Sequence, residues 1–137
     1  MKKVKIIFIS ICCILCVCGC KNNKNGNLSY KDEKQIEEKI KINLENISKE
    51  TDLTSSNPFD YTKNEYYQNI VSLGKDAVSV LENMYKNKEL SGVNAYLSAL
   101  AIEDITDCDL NEKYNLDWST AEEFYTLWKD HNCSFKK

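Results

Sequence analysis

The stretch Val93–Thr106 constrains the fold of this chain more than any other. Its apolar residues occupy more than half of a helical circumference, and they are Val93, Tyr96, Leu97, Ala99, Leu100, Ala101, Ile102 and Ile105. A helix that is apolar on nearly every side is a buried one, so we expect it at the centre of the core. No stretch of the chain shows the strict apolar–polar alternation of a half-buried strand. The sequence therefore predicts an all-α fold.

The segment Tyr30–Glu50 is predicted to be a long amphipathic helix. Ser29 stands at its start as a cap. Its single apolar stripe consists of Ile36, Ile40, Leu44 and Ile47. Such a stripe is able to bind a partner helix, but burial against its own domain is the commoner use.

Capping boxes at Thr62–Glu65 and Ser119–Glu122 predict the start of two more helices. The first of these ends at Gly74, and the helix that follows from Asp76 completes a tight αα-hairpin with it. The segments 51–60 and 107–118 are predicted as connections, and the last helix is predicted to end near Asn132. These elements predict a small bundle of about five helices in one domain, residues 30–137, with its helical core at 62–132.

Residues 1–19 have the outline of an export signal. Three lysines precede the almost wholly apolar run Ile6–Val17, and a charged start followed by roughly 7–15 apolar residues is typical of such signals. A membrane-spanning helix needs about 20 apolar residues, which is more than this run offers. The leader ends in Val17-Cys18-Gly19-Cys20, which resembles a bacterial lipobox. In a lipobox the last cysteine is lipidated and becomes the mature N-terminus. The alternative is an uncut N-terminal anchor in which Cys20 is an ordinary thiol.

Lipidation of Cys20 would place the domain at the outer face of the cell membrane. Two or more acyl chains give stable anchoring without a spanning helix. The polar residues 20–29 are then predicted to form a flexible tether between the membrane and the domain. We therefore expect an exported, lipid-anchored surface protein.

The charge of the chain argues against nucleic-acid binding. Removal of residues 1–19 takes away three of the 18 lysines and no acidic residue, which leaves 15 Lys against 21 Asp plus Glu, a charge of −6. The chain contains no arginine, the residue that supplies bidentate contacts to bases and phosphates. We expect a protein partner at the surface rather than a nucleic acid.

Cys108 and Cys133 are the two cysteines left once the leader and Cys20 are set aside. Outside the membrane such a pair can persist as a disulfide. Two free thiols and a metal site are the alternatives. A zinc site would need two further ligands that the sequence does not supply as a Cys-x-x-Cys pair. The lone His131 lies two residues from Cys133 on the last helix, and residues at that spacing do not face each other, so we expect neither a metal site nor a Cys–His dyad.

Four acidic residues crowd the C-terminal end of the predicted central helix: Glu103, Asp104, Asp107 and Asp109. Negative charge is unfavourable there because of the helix dipole, so this edge is a candidate site for a cation or a basic partner. The spacing Asp107-x-Asp109-x-Asn111 opens like a calcium loop. Glu112 stands where such a loop needs glycine, however, and Trp118 stands where it needs the bidentate glutamate, which excludes an EF-hand.

The stretch from Tyr66 to Trp128 resembles small uncharacterised lipoproteins of Firmicutes, Clostridium-like in character. The pieces that carry the resemblance are residues 67–74, 97–106 and 118–120. It implies a compact helical domain at the cell surface and no particular activity. We expect a binding module without a cofactor. The alternatives are an immunity or inhibitor protein against a secreted toxin or enzyme, which would use the acidic edge, and a small cell-envelope hydrolase.

Overall fold

The computed structural model of the protein describes residues 28–50, 57–131 and 133. Within these ranges the fold is all-α, as predicted, and there is no strand. The helices are α1 (Tyr30–Glu50), α2 (Phe59–Thr62), α3 (Glu65–Ser72), α4 (Lys75–Lys86), α5 (Gly92–Thr106), α6 (Leu110–Tyr114) and α7 (Ala121–His131). The five longer helices correspond to the predicted ones. Helix α6 lies in a segment predicted as a connection, and α2 begins in the other such segment and extends two residues beyond it, to Thr62. Across the described ranges, none of the helices combines the length and apolarity that a membrane crossing requires.

Helix α5 is the central helix, as its sequence predicts. It packs against α3, α4 and α7. Its buried residues are Ala95, Leu97, Ser98, Ala99, Leu100, Ala101 and Ile102. Ser98 is the one polar side chain among them, and its hydroxyl donates to the carbonyl of Asn94 at 2.7 Å. The hydroxyl of Ser98 is therefore buried with a hydrogen-bond partner, as is usual for a polar group in a core.

Helix α1 packs on its own domain. Ile40, Leu44 and Ile47 are buried, and the helix contacts α3 and α4, which both contact α5 in turn. An ion pair of 2.8 Å between Lys41 Nζ and Glu89 Oε2 joins the middle of α1 to the turn after α4. The apolar stripe of α1 is thus used inside the molecule.

The cap predicted at Thr62 is wrong. Thr62 instead ends α2, where its hydroxyl donates to the carbonyl of Phe59 at 3.0 Å. Asn64 caps α3, because its Oδ1 accepts from the amide of Tyr66 at 2.8 Å. Pro58 precedes α2 with a helical backbone, and proline is well suited to the start of a helix. Thr62 therefore belongs to the end of α2, whereas the sequence pattern had placed it at the start of α3.

The second capping box exists, but it lies one residue further along the chain. Glu123 Oε2 accepts from the amides of Ser119 at 2.8 Å and of Thr120 at 3.1 Å. Thr120 Oγ1 accepts from the amide of Glu123 at 3.2 Å. The box is therefore Thr120–Glu123 rather than Ser119–Glu122.

The segment 107–118, predicted as a polar loop, contains α6 and folds back onto the body. Leu110 is fully buried, and the ring of Trp118 lies 4.7 Å from that of Tyr96 and 5.0 Å from that of Phe124. This segment runs from the C-terminal end of α5 to the start of α7 and covers part of the core on the way.

Candidate functional site

Cys20, the leader and most of the tether lie outside the described residues. The lipid anchor therefore stays a prediction from the sequence.

Cys108 and Cys133 form a disulfide, as the sequence favours. Both are buried, and their Cα atoms lie 6.2 Å apart. The bridge ties the chain after α7 to the end of α5. The disulfide excludes the two alternatives for these cysteines, free thiols and a metal site. It also excludes a dyad of Cys133 with His131. His131 instead lies with its ring 4.8 Å from that of Tyr114.

Asp104, in the predicted acidic edge, is a hydrogen-bond partner of a core residue. Its Oδ2 accepts from the hydroxyl of Tyr67 at 2.6 Å. Tyr67 is fully buried. Burial is the main cause of the raised pKa of Tyr67, and the hydrogen bond to Asp104 raises this pKa further. Tyr67 is therefore a neutral donor, and this bond joins α3 to α5.

Glu103 organises the segment after α5. Its Oε1 accepts from the amide of Leu110 at 3.1 Å and from Trp118 Nε1 at 3.2 Å. Burial raises the pKa of Glu103, and these two donors offset part of that rise. One half-buried carboxylate thus holds both the start of α6 and the indole that covers the core.

Asp109 and Asp107 complete the acidic edge. Asp109 caps α6, because its Oδ1 accepts from the amide of Glu112 at 3.0 Å. Asp107 ends α5 with a left-handed backbone, φ +51° and ψ +43°, and its exposed carboxylate has no hydrogen-bond partner in the described parts of the chain. Among those same residues, no group of three or more His, Cys, Asp or Glu side chains is arranged to hold a metal ion. Three of the four predicted site residues therefore have structural hydrogen bonds.

A groove lies between α4 and α7. Two contacts define it. The rings of Tyr85 and Tyr125 are stacked with their centroids 3.8 Å apart, and Trp128 Nε1 donates to Glu82 Oε1 at 2.8 Å. Because Glu82 pairs with the later residue of α7 and Tyr85 with the earlier one, the two helices run antiparallel. The groove has a volume of about 750 Å³, within the range of ligand pockets, roughly 300–1,000 Å³.

The side chain of Tyr125 lines this groove, and its hydroxyl is buried beneath the surface. This hydroxyl has no hydrogen bond to any described residue. Burial raises the pKa of Tyr125, and the negative charge of Glu82 raises it further. A buried hydroxyl without a partner costs about 1–3 kcal/mol.

Charges of both signs stand along the rim of the groove. Lys86 lies 3.6 Å from Glu82 Oε2. Glu122, Lys129 and Asp130 also line the groove, and they form no ion pair with a described residue. A second hollow of about 580 Å³ continues from it past Tyr85 and Glu122 toward the start of α5.

The sequence did not predict this groove. Tyr85, Tyr125 and Trp128 fall on the inward faces of their helices, and the periodic pattern assigns all three to the core. Their pairing across 40 and more residues depends on where α4 and α7 lie on α5. The one local signal is the placement of charged residues next to these aromatic ones.

The geometry defines a small, disulfide-bonded, all-α protein with an aromatic groove between α4 and α7. Comparisons with known proteins give no match to any family model, curated protein or solved structure.

Proposed function

We propose that this protein is a lipid-anchored binding module at the outer face of the cell membrane, and that the α4–α7 groove is its contact with a protein partner. The observation that carries the proposal is the groove of about 750 Å³ between α4 and α7, which is lined by the stacked rings of Tyr85 and Tyr125 and by charged residues of both signs. Its volume is in the range of binding pockets, and aromatic residues are enriched in protein–protein interfaces.

The proposed location at the outer face of the membrane depends on the sequence. Cys20 follows an apolar leader that resembles a lipobox, and a polar tether separates it from α1. The resemblance to small Firmicute lipoproteins agrees with this address. Two acyl chains on Cys20 would hold the domain stably at the surface.

The anchor is tested in the producing cell with a labelled fatty acid. Wild type is expected to incorporate the label and to stay with the membrane fraction, and Cys20→Ser to lose both properties. Cys18→Ser is the matched control, because it changes a neighbouring leader cysteine and should keep the label. Label in Cys20→Ser would overturn the assignment.

The binding function is tested by immobilising residues 20–137, with Cys20→Ser, and identifying what the domain retains from the cell envelope and medium. A partner that uses the groove is lost with Glu122→Lys, which reverses a charge on the rim. It is kept with Glu38→Lys, which makes the same change on the exposed side of α1. Equal retention by both variants would contradict the groove as the contact.

An immunity or inhibitor protein is the second candidate, and one observation favours it. Residues 103–117 contain six acidic side chains and a single lysine, Lys113. Several of these carboxylates, including Asp107, Glu112 and Asp117, are exposed, and such a surface would attract a basic partner in a salt-dependent way. In the same capture experiment this candidate predicts loss with Asp107→Asn and no effect of Glu122→Lys.

A small envelope hydrolase is the least favoured candidate. Such an enzyme could be built on a pair of carboxylates in the acidic edge, Glu103 and Asp107. One carboxylate oxygen of Glu103 accepts hydrogen bonds from Leu110 and Trp118, which favours a structural role. A hydrolase would show an activity that one carboxamide substitution, Glu103→Gln, abolishes.

A further inference from the structure

We propose that the Cys108–Cys133 disulfide is a latch on the α4–α7 groove, which takes its shape only once the two thiols have been oxidised outside the membrane. This inference rests on the proposed function, because it takes the export of the protein from that proposal and concerns the regulation of the same groove. Reductants keep thiols reduced inside a cell, whereas disulfides form and persist outside it. The latch therefore makes the groove depend on export.

Helix α7 forms one wall of the groove and depends on few contacts for its position. In the described parts of the chain, α5 is the one helix on which α7 packs extensively, whereas α1, α3 and α4 each pack in this way on two or more others. Two residues of α7 are buried, Phe124 and Trp128. A helix of 11 residues is marginal by itself in water, because most helical stability in proteins comes from tertiary packing. A covalent link at its end therefore matters more to α7 than to the helices inside the bundle.

The disulfide fixes the end of α7 to the end of α5. Cys133 lies two residues beyond His131, the last residue of α7, and Cys108 lies two residues beyond Thr106, the last residue of α5. Their Cα atoms are 6.2 Å apart. The loop closed by the bridge contains the whole of α6 and α7. When the bridge is open, packing alone fixes α7.

The contacts that shape the groove join α7 to α4 without a covalent link. The ring of Tyr125 is stacked on that of Tyr85 at 3.8 Å, and Trp128 Nε1 donates to Glu82 Oε1 at 2.8 Å. Every residue that α7 contributes to the lining of the groove lies inside the loop that the bridge closes. A change in the position of α7 therefore separates these pairs and removes that wall of the groove.

The latch closes by thiol–disulfide exchange with an oxidant of the disulfide class. The thiolate of one cysteine attacks the disulfide of the oxidant, displaces one of its sulfurs and forms a mixed disulfide. The thiolate of the second cysteine then attacks the protein sulfur of the mixed disulfide and displaces the other sulfur of the oxidant. The pair gives up two electrons and two protons, and the oxidant leaves as two thiols. Because both cysteines are buried in the folded protein, a reductant has poor access to the closed bridge, so the latch is set once.

The test uses residues 20–137 with Cys20→Ser and follows the indole N–H signal of Trp128 by NMR, together with the hydrogen exchange of each helix. The oxidised protein is compared with protein that is reduced with dithiothreitol in denaturant and returned to native buffer with dithiothreitol. Reduction should remove the native shift of the Trp128 indole and the exchange protection of α7. Helices α1, α3 and α4 should keep their protection. Reoxidation with oxidised glutathione should restore the signal.

The double variant Cys108→Ala with Cys133→Ala keeps small apolar side chains at both positions and cannot form the bridge. It should reproduce the reduced protein in both measurements. An unchanged Trp128 signal in the reduced protein and in the double variant would overturn the latch, because the groove would then form without the bridge. Loss of protection in all helices together would overturn it as well, since the bridge would then support the whole fold.

The outcomes for the latch and for the proposed function are distinct, because these readouts concern the protein without a partner. A groove that depends on the bridge but retains nothing in the capture experiment keeps the latch and rejects the binding function. A partner that is captured equally by the oxidised and the reduced protein, and is lost with Glu122→Lys, keeps the binding function and rejects the latch.

Discussion

The hydroxyl of Tyr67 donates to Asp104 Oδ2 at 2.6 Å and so joins the fully buried ring of one helix to the exposed end of another. Tyr67 belongs to α3, and Asp104 belongs to the last turn of α5. A negative charge at the C-terminal end of a helix is unfavourable by itself. This bond gives Asp104 a specific structural role. From the sequence pattern, Asp104 was only one of several acidic residues crowded at the end of the helix.

Tyr67→Phe is expected to destabilise the protein by about 1–2 kcal/mol, because it removes a hydrogen bond to a charged acceptor and keeps the buried ring. The free energy of unfolding in urea measures this. Tyr66→Phe is the matched control, since the hydroxyl of Tyr66 donates to Glu50 at 3.1 Å on the exposed surface. That variant should unfold with wild type. Equal midpoints for all three proteins would show that the bond to Asp104 contributes nothing to stability.

Glu103→Gln is expected to stabilise the protein at neutral pH. The amide oxygen of Gln can still accept from Leu110 and Trp118, and the cost of burying a charge disappears. Burial raises the pKa of Glu103 above its usual 4.5, so the folded state binds the proton more readily than the unfolded state does. The stability of wild type should therefore rise as the pH falls from the raised pKa toward 4.5.

The measurement is the difference in unfolding free energy between wild type and Glu103→Gln at several pH values. This difference should be largest near neutral pH and should shrink through that acidic window. Glu103→Ala is the companion variant, and its loss of about 1–3 kcal/mol would come from two donors left without an acceptor. A difference between wild type and the Gln variant that grows on acidification would show that folding lowers the pKa of Glu103 instead of raising it.

The sequence predicted the parts of the fold that depend on local pattern. The all-round apolarity of Val93–Thr106 identified the central helix, and the single stripe of Tyr30–Glu50 identified α1. Each signal repeats along many residues, so that tertiary contacts do not easily override it. The disulfide was also predictable, because few cysteines remain outside the leader.

The parts that were missed depend on contacts between distant residues. Helix α6 is barely more than one turn long, and it is held by Glu103 and by the burial of Leu110 rather than by its own pattern. The capping box shifted because Ser119-Thr120-Ala121-Glu122-Glu123 satisfies the motif in two registers. The groove was missed because the stacking of Tyr85 on Tyr125 requires α4 and α7 to lie side by side on α5.

Gly74→Ala is expected to destabilise the protein through the backbone alone. Gly74 lies between α3 and α4 with φ +67° and ψ −153°, a region that glycine alone adopts readily. Glycine was predicted here as a left-handed stop, and its φ is positive, but its ψ differs from that of such a stop. No atom lies within 4 Å of an added Cβ, so a steric clash is not the cause.

The expected loss for Gly74→Ala is about 1–3 kcal/mol, measured as free energy of unfolding. Ser72→Ala is a nearby control at the end of α3, where the side chain is exposed. A stability of Gly74→Ala equal to that of this control would mean that the joint relaxes to an ordinary backbone without cost.

Cleavage of the Cys108–Cys133 bridge is expected to cost the protein roughly 3.5 kcal/mol, because the closed loop of 25 residues restricts the unfolded chain. In residues 20–137 with Cys20→Ser, a maleimide should label no thiol before reduction and two afterwards. The double variant Cys108→Ser with Cys133→Ser should match the reduced protein in unfolding free energy. Because Cys133 follows α7 directly, we expect hydrogen exchange to rise first in α7 and in the segment 107–118 when the bridge is lost. Exchange that rises equally in α1 would show that the bridge stabilises the whole bundle rather than this end of it.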